Sequence, residues 1–337
     1  MSVTSNEFKA GALATEKPES LLKDAFSRLL KNRAAMVGGI VIICLYLIAI
    51  FAAQIAPYHF ADGDLTKNNF VPQWLVNVFP MMKGYAHISA EFPFGADYIG
   101  RDLLSRVIYG SRISLTVAII GPLISLLIGV TYGCISGYFG GKVDNVMMRF
   151  VDIMYGFPSL LFIILLMAFF RGSVSDIQPG TFAYSIRMID ESMGGLFFIF
   201  IGIGITSWMT MARLTRGQIL SIKQKEYVEA AHSIGASDLR IVFKHILPNI
   251  IGPLIVSETM SIPAYISTEA FLSYIGLGVN PPTPSWGSMI ADGARAIRGY
   301  PFQVLLPALG LFITMFSFNF LGDGLRDAFD PKLRGRQ

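Results

Sequence analysis

Charge is what this chain has least of. Only 15% of its 337 residues are Asp, Glu, Lys or Arg, against roughly 25% in soluble domains. Meanwhile 53% are hydrophobic and the mean hydropathy is +0.54. That shortage excludes an ordinary soluble globule and points to the membrane class. Cysteine is scarce as well. Cys44 and Cys134 both lie in apolar runs and read as small buried hydrophobes rather than a disulfide or a metal pair. The four histidines, His59, His87, His232 and His245, are too scattered to suggest a metal site. No GxxxxGK[ST], HExxH or GxSxG occurs anywhere. The chain is therefore expected not to be an enzyme by itself and to hold no cofactor, and if ATP drives its action the ATPase is a separate polypeptide. A net charge of +4 would suggest nucleic acid in a soluble protein; here the placement of positive residues about a membrane explains it, with no nucleic acid as partner.

What the chain does have is uncharged runs of membrane-crossing length. Residues 34–56 and 113–141 carry no charge; each exceeds the ~20 residues that cross a ~30 Å hydrocarbon core. Further spans fall near 147–170, with Asp152 at its start and Pro158 as a kink, near 196–214, at 250–274 and near 302–321. The expected fold is all-α, with six transmembrane helices. The first run stands behind a long polar tail and is too long for the apolar core of a cleaved leader. That tail, residues 1–33, ends in an apolar stripe of Leu21, Leu22, Ala25, Phe26, Leu29 and Leu30 opposite Lys23, Arg28 and Lys31. Such a helix suits the lipid headgroup region. Residues 57–112 form a loop too long for a turn, and 171–195 a second loop, with Asp176, Arg187, Asp190 and Glu191. In the second span Gly129, Gly133 and Gly137 recur at four-residue intervals, a small-residue row that lets a neighbouring helix approach closely.

Orientation follows from positive charge. With the N-terminus cytosolic, 18 of the 27 lysines and arginines fall inside, the distribution the positive-inside rule favours. Six spans with both ends inside then leave residues 216–249 and the tail 326–337 in the cytosol.

Residues 216–249 are a polar, basic interruption between two spans. Tyr227, Ala230, Ala231 and Ile234 recur at helical spacing; Leu239, Val242, Phe243 and Ile246 restart the pattern. Gly235 suits a C′ position, where positive φ costs glycine little. Ser237 is a candidate N-cap, without a capping box because Arg240 stands at N3. Pro248 is expected to stop the second helix, having no N–H to donate. Neither helix is long enough to cross a bilayer, so the unit is either an ordinary interfacial hairpin or a piece that carries motion from a soluble partner into the membrane bundle.

Glu229-Ala230-Ala231, Gly235 and Leu247-Pro248, at this spacing, resemble the EAA loop of permease subunits of bacterial ABC importers; His245 departs from the isoleucine usual there. Residues 269–290 (EAFLSYIGLGVNPPTPSWGSMI), 322–331 (GDGLRDAFDP), 132–149 (YGCISGYFGGKVDNVMMR) and 92–115 resemble one branch, the C-type permeases of dipeptide and oligopeptide importers. The resemblance implies the type I ABC importer permease fold, with residues 113–325 as its transmembrane domain. It implies pairing with a homologous permease subunit, two ABC ATPase subunits carrying ATP and Mg, and an extracytoplasmic peptide-binding protein. It also implies that Glu229, Ala230, Ala231 and Gly235 seat the ATPase, with Leu247 and Pro248 tying the hairpin to the fifth span. Nickel chelates or other small cargo are the alternative within the family.

Two acids interrupt the fifth span. Glu258 is expected near the bilayer midplane, facing the pathway, a subunit interface or a hydrogen bond from a neighbouring helix; a carboxylate there costs several kcal/mol unless it is wet, paired or protonated. Glu269 is expected near the outer end with water close by. Pro263 between them should bend or break the helix, marking it as the candidate lining of the route. A proton-coupled secondary transporter using Glu258 is the rival reading, but no internal repeat of that class is visible.

Overall fold

A computed structural model of the chain describes residues 21–172 and 180–330. Lys9, Lys17, Asp176, Lys332, Arg334 and Arg336 lie outside the described residues. The helices in order are α1 (Leu21–Lys31), α2 (Arg33–Ile50), α3 (Ala52–Ile55), α4 (Gln73–Val78), α5 (Leu103–Phe139), α6 (Gly141–Tyr155), α7 (Ser159–Gly172) and α8 (Phe182–Ser192). Then come α9 (Phe197–Ile222), α10 (Glu226–Ser233), α11 (Asp238–Arg240), α12 (Leu247–Tyr274), α13 (Trp286–Ala294) and α14 (Phe302–Phe329). No strand occurs among the described residues, only isolated bridges between Val71 and Ile88 and between Ala96 and Asp102.

Among the described residues, five helices are long and apolar enough to cross a membrane, or six if α6 and α7 count as one broken span bent by 76°. The break spans Gly156 to Pro158: Pro158 cannot continue the helix ladder, and the kink expected there is a full change of direction. The span expected at 113–141 starts ten residues earlier, because Asp102 caps α5 by accepting the Ser105 backbone N–H at 2.8 Å.

α5 and α9 form the central pair. A methyl group on Gly129 would stand 2.6 Å from Met211 Cβ, and one on Gly133 2.5 Å from the Ala212 carbonyl oxygen. Gly137 meets Ile219 in the same way. The glycine row thus lets two backbones touch where any side chain would hold them apart. α2 lies on α14, and α1 packs against the far end of α14, with Ala25 buried and Phe26 and Leu30 left exposed. That leaves part of its apolar stripe free for a headgroup layer.

The long loop is a small folded unit. Val71, Leu75, Val76 and Met82 are buried with Leu103, Met289 and Phe302. Asp97 accepts from Arg101 Nε at 2.7 Å, and Asp292 stands 3.8 Å from both Arg101 and Arg106. These pairs tie the loop to α5 and α13 beside a cleft of about 650 Å³. Burial pushes the Asp292 carboxyl up, with Arg106 and Arg101 pulling against it. α13 is too short to span and lies against α5, α12 and α14, its Trp286 indole donating to the Val107 carbonyl at 3.0 Å.

Candidate functional site

The hairpin expected at residues 216–249 begins inside α9, which runs on to Ile222. α10 ends at Ser233 with Ile234 as its C-cap, and the chain turns at Gly235, where φ is +81°. A side chain would be strained there, so the turn is written into that residue. Ser237 occupies the N-cap position of the next helix with extended backbone, but its side chain makes no capping bond.

Pro248 does not stop the second helix. Asp238–Tyr274 is one 37-residue helical stretch. Ile241–Ile246 is a π turn, in which the Leu247 N–H reaches back to the Val242 carbonyl. This wider turn shifts the hydrogen-bond register by one residue immediately before Pro248, which then falls in the first turn of α12, where a missing N–H costs nothing. The hairpin is therefore continuous with the fifth span. A π turn leaves no mark in hydrophobic spacing, so only the structure reveals it.

The hairpin has two apolar faces, and the sequence period merged them. Val228, Ala231, Ile241, Val242 and Ile246 are buried against Tyr138, Met211, Ile219, Ile250 and Leu254. On the opposite side Tyr227 is 44% exposed, Ile234 85%, Leu239 71% and Phe243 65%. Of the residues singled out by motif, Glu229, Ala230, Gly235 and Pro248 are exposed, Leu247 is half-buried and Ala231 is buried. Ala231 is small because it faces inward onto the bundle, whereas Ala230 leaves the outer face low.

Polar ties pin this unit to the bundle. The Tyr138 hydroxyl, at the end of α5, donates to Asp238 Oδ1 at 2.7 Å and lies 3.2 Å from His232 Nε2. Lys223 Nζ donates to the Tyr138 carbonyl and sits 5.3 Å from its ring. Arg216 makes a two-pronged pair with Asp144 at 2.5 and 2.6 Å, and Ser136 donates to the same carboxylate. These contacts join α5, α6 and α9 to α10 and α11. Sequence reasoning missed Tyr138, Lys223, Asp238, Asp144 and Arg216 as a group. Their separation along the chain gives no spacing signal, apart from charged residues clustering at one end of the spans.

The acids of α12 lie inside the subunit. Glu258 is buried and accepts from Ser125 on α5 at 3.1 Å and from Tyr265 at 2.7 Å. Its carboxylate makes the helix-to-helix hydrogen bond that was one of the expected options. Glu269 corrects the expectation of nearby water. It is fully buried, accepting from Ser114 at 3.1 Å and Ser273 at 2.7 Å, because α13 covers this end of α12 and Gly287 packs on Ala270. Pro263 is buried and does not break α12.

Residues 129–335 match the family model described as binding-protein-dependent transport system inner membrane component, and residues 20–72 match the N-terminal TM domain of oligopeptide transport permease C. The chain belongs to this transport family. The permease is 42% identical over 320 residues to the oligopeptide transport system permease protein OppC of Bacillus subtilis, covering 95% of this chain and 92% of that one. It is 39% identical over 335 residues to the dipeptide transport system permease protein DppC of the same species, covering 98% and 92%. It is 40% identical over 315 residues to the OppC protein of Haemophilus influenzae, covering 94% and 90%. Among solved structures it resembles an inward-facing MetNI methionine ABC transporter, with a TM-score of 0.51, 18% identity, and 67% of this chain and 97% of that chain covered. The likeness gives the permease the fold of an ABC importer subunit, and the family makes it a multi-pass inner-membrane component.

Proposed function

We propose that this permease forms half of the pathway of a peptide importer, oligopeptide or dipeptide, that is driven by separate ATPase subunits seated on the outer face of α10 and α11. The observation that carries this reading is the exposed apolar face of Tyr227, Ile234, Leu239 and Phe243 on a hairpin whose other face is locked into the bundle. Apolar side chains on a polar, basic hairpin mark a protein interface. A rigid mounting lets a push on that face move α9 and α12 directly. The proposed complex has two paired permease subunits, two ATPases holding ATP and Mg, and a peptide-binding protein delivering cargo on the opposite side. ATP hydrolysis then belongs to the ATPases, and this chain contributes no hydrolytic step. Closure of the ATPases shifts the hairpins, and the bundle rocks between two discrete packings.

The test is Ile234→Asp with Leu239→Asp in the assembled complex. Both positions are exposed, so folding should survive. The expected outcome is loss of ATPase co-purification and of peptide uptake, with normal membrane levels of the permease. Undiminished co-purification would refute the docking face.

A further inference from the structure

Glu258 and Glu269 are turned inward, which leaves open what a peptide in transit would meet. Building on the peptide-importer reading, we propose that the face where α7, α9 and α12 meet carries a binding cleft for peptide N–H donors. Its acceptors are the hydroxyl oxygens of Thr206, Tyr265 and Thr268, with the hydroxyls of Ser159 and Ser207 beside them. The cleft has a volume of about 180 Å³; Leu160, Ile163, Ile203 and Ala264 complete its lining, and among the described residues no Asp, Glu, Lys or Arg lines it.

Hydrogen-bond direction sets its chemistry. Thr206 Oγ1 donates to the Gly202 carbonyl at 3.0 Å, Thr268 Oγ1 to the Ala264 carbonyl at 2.8 Å, and the Tyr265 hydroxyl to Glu258 at 2.7 Å. Each hydroxyl has one proton to give and two lone pairs. With these three protons committed to the protein, the oxygens of Thr206, Thr268 and Tyr265 are left as acceptors on the cleft lining. A cleft of acceptors without a cation fits N–H groups: the amides of an extended peptide and its terminal ammonium. Those groups are common to all peptides, so the cleft takes no account of side-chain charge.

α7 brings Leu160 and Ile163 to this face, while α9 and α12 differ there from the outward surfaces of α2 and α14. On α2 the exposed side chains are Val37, Ile40, Ile43, Leu47 and Ile50; on α14 they include Leu305, Leu309, Phe312, Ile313 and Phe316. On α12 the row Ser257, Ser261, Ala264 and Thr268, spaced as one helical face, is small, hydroxyl-rich and at least partly exposed. α9 continues the pattern with Thr206 and exposed Thr210. Charge enters toward the hairpin end, where Arg213 pairs with Asp152 at 2.5 Å and its guanidinium carbon lies 4.1 Å from the centre of the Tyr155 ring. Hydrocarbon gains nothing from hydroxyl oxygens, whereas a passing peptide gains a hydrogen bond at each step.

The test uses the complete transporter in proteoliposomes, with partner subunits and binding protein, and labelled trialanine as cargo. Thr206→Val with Thr268→Val keeps shape and removes two acceptors. The turnover rate for uptake should fall roughly tenfold, with binding-protein affinity for trialanine unchanged, while Thr206→Ser with Thr268→Ser restores most of it. Thr131→Val, at an exposed hydroxyl on α5 remote from the cleft, should transport normally. In a chain with Cys44 and Cys134 replaced by alanine and otherwise unaltered, Ala264→Cys should react with a hydrophilic maleimide, more slowly while trialanine is being carried; Ile313→Cys on α14 should not react. Wild-type uptake by the double valine variant, or no labelling at Ala264→Cys, overturns the cleft. If the unmodified complex takes up no trialanine at all, the peptide reading fails instead.

Discussion

Two single residues decide how the hairpin is held. Gly235 has φ of +81° and nothing within 4 Å of where a Cβ would be, so the constraint there is the backbone and not space. Gly235→Val should therefore strain the turn by about 1–2 kcal/mol. Its expected phenotype is loss of transport and of transport-coupled ATP hydrolysis, with normal membrane insertion; uptake assays beside quantitative immunoblots of membranes check it. Tyr138 joins α5 to both helices of the hairpin through Asp238 and His232. Tyr138→Phe keeps the ring beside Lys223 and removes those bonds, each worth about 1 kcal/mol. ATP hydrolysis should continue while the peptide moved per ATP drops, as measured by paired uptake and phosphate-release assays. Gly235 was legible because a glycine between two periodic runs has one common use. Tyr138 was not, since its partners lie 94 and 100 residues away in the chain.

Among elements, the pairing of α5 with α9 is the clearest case of a pattern whose partner the sequence left blank. Four-residue glycine spacing announces a close helix contact, but not which helix makes it. The structure assigns α9, with Met211, Ala212 and Ile219 filling the row. Gly133→Leu should then overpack the pair by roughly 1–3 kcal/mol and lower the melting temperature in detergent. Gly217→Leu, where a Cβ would meet nothing within 4 Å, should not. The junction of α11 with α12 shows the opposite limit. Pro248 reads as a stop from local chemistry, yet a π turn absorbs it and makes the hairpin and the fifth span one lever. Local rules give the cost of a proline in a regular helix; they do not give the register the helix adopts to avoid that cost.

At the scale of the whole molecule, the folded long loop and the hairpin lie at opposite ends of α5, one by Leu103 and the other by Tyr138. The proposed topology puts them on opposite sides of the membrane. Met81→Cys and Gln224→Cys, both at exposed positions and placed in a chain with Cys44 and Cys134 replaced by alanine, test this in right-side-out vesicles. An impermeant maleimide should label the first and spare the second until the membrane is opened.

The sequence by itself determined membrane residence, the rough position of the spans, the hairpin and the family, because each rests on local composition, on period or on motifs carried by adjacent residues. Only the tertiary structure decided which apolar residues of the hairpin are free and which are buried. It alone turned Glu258 and Glu269 inward and left a hydroxyl-lined face open. Whether a side chain is covered depends on distant segments arriving beside it, and no window of neighbouring residues contains that information.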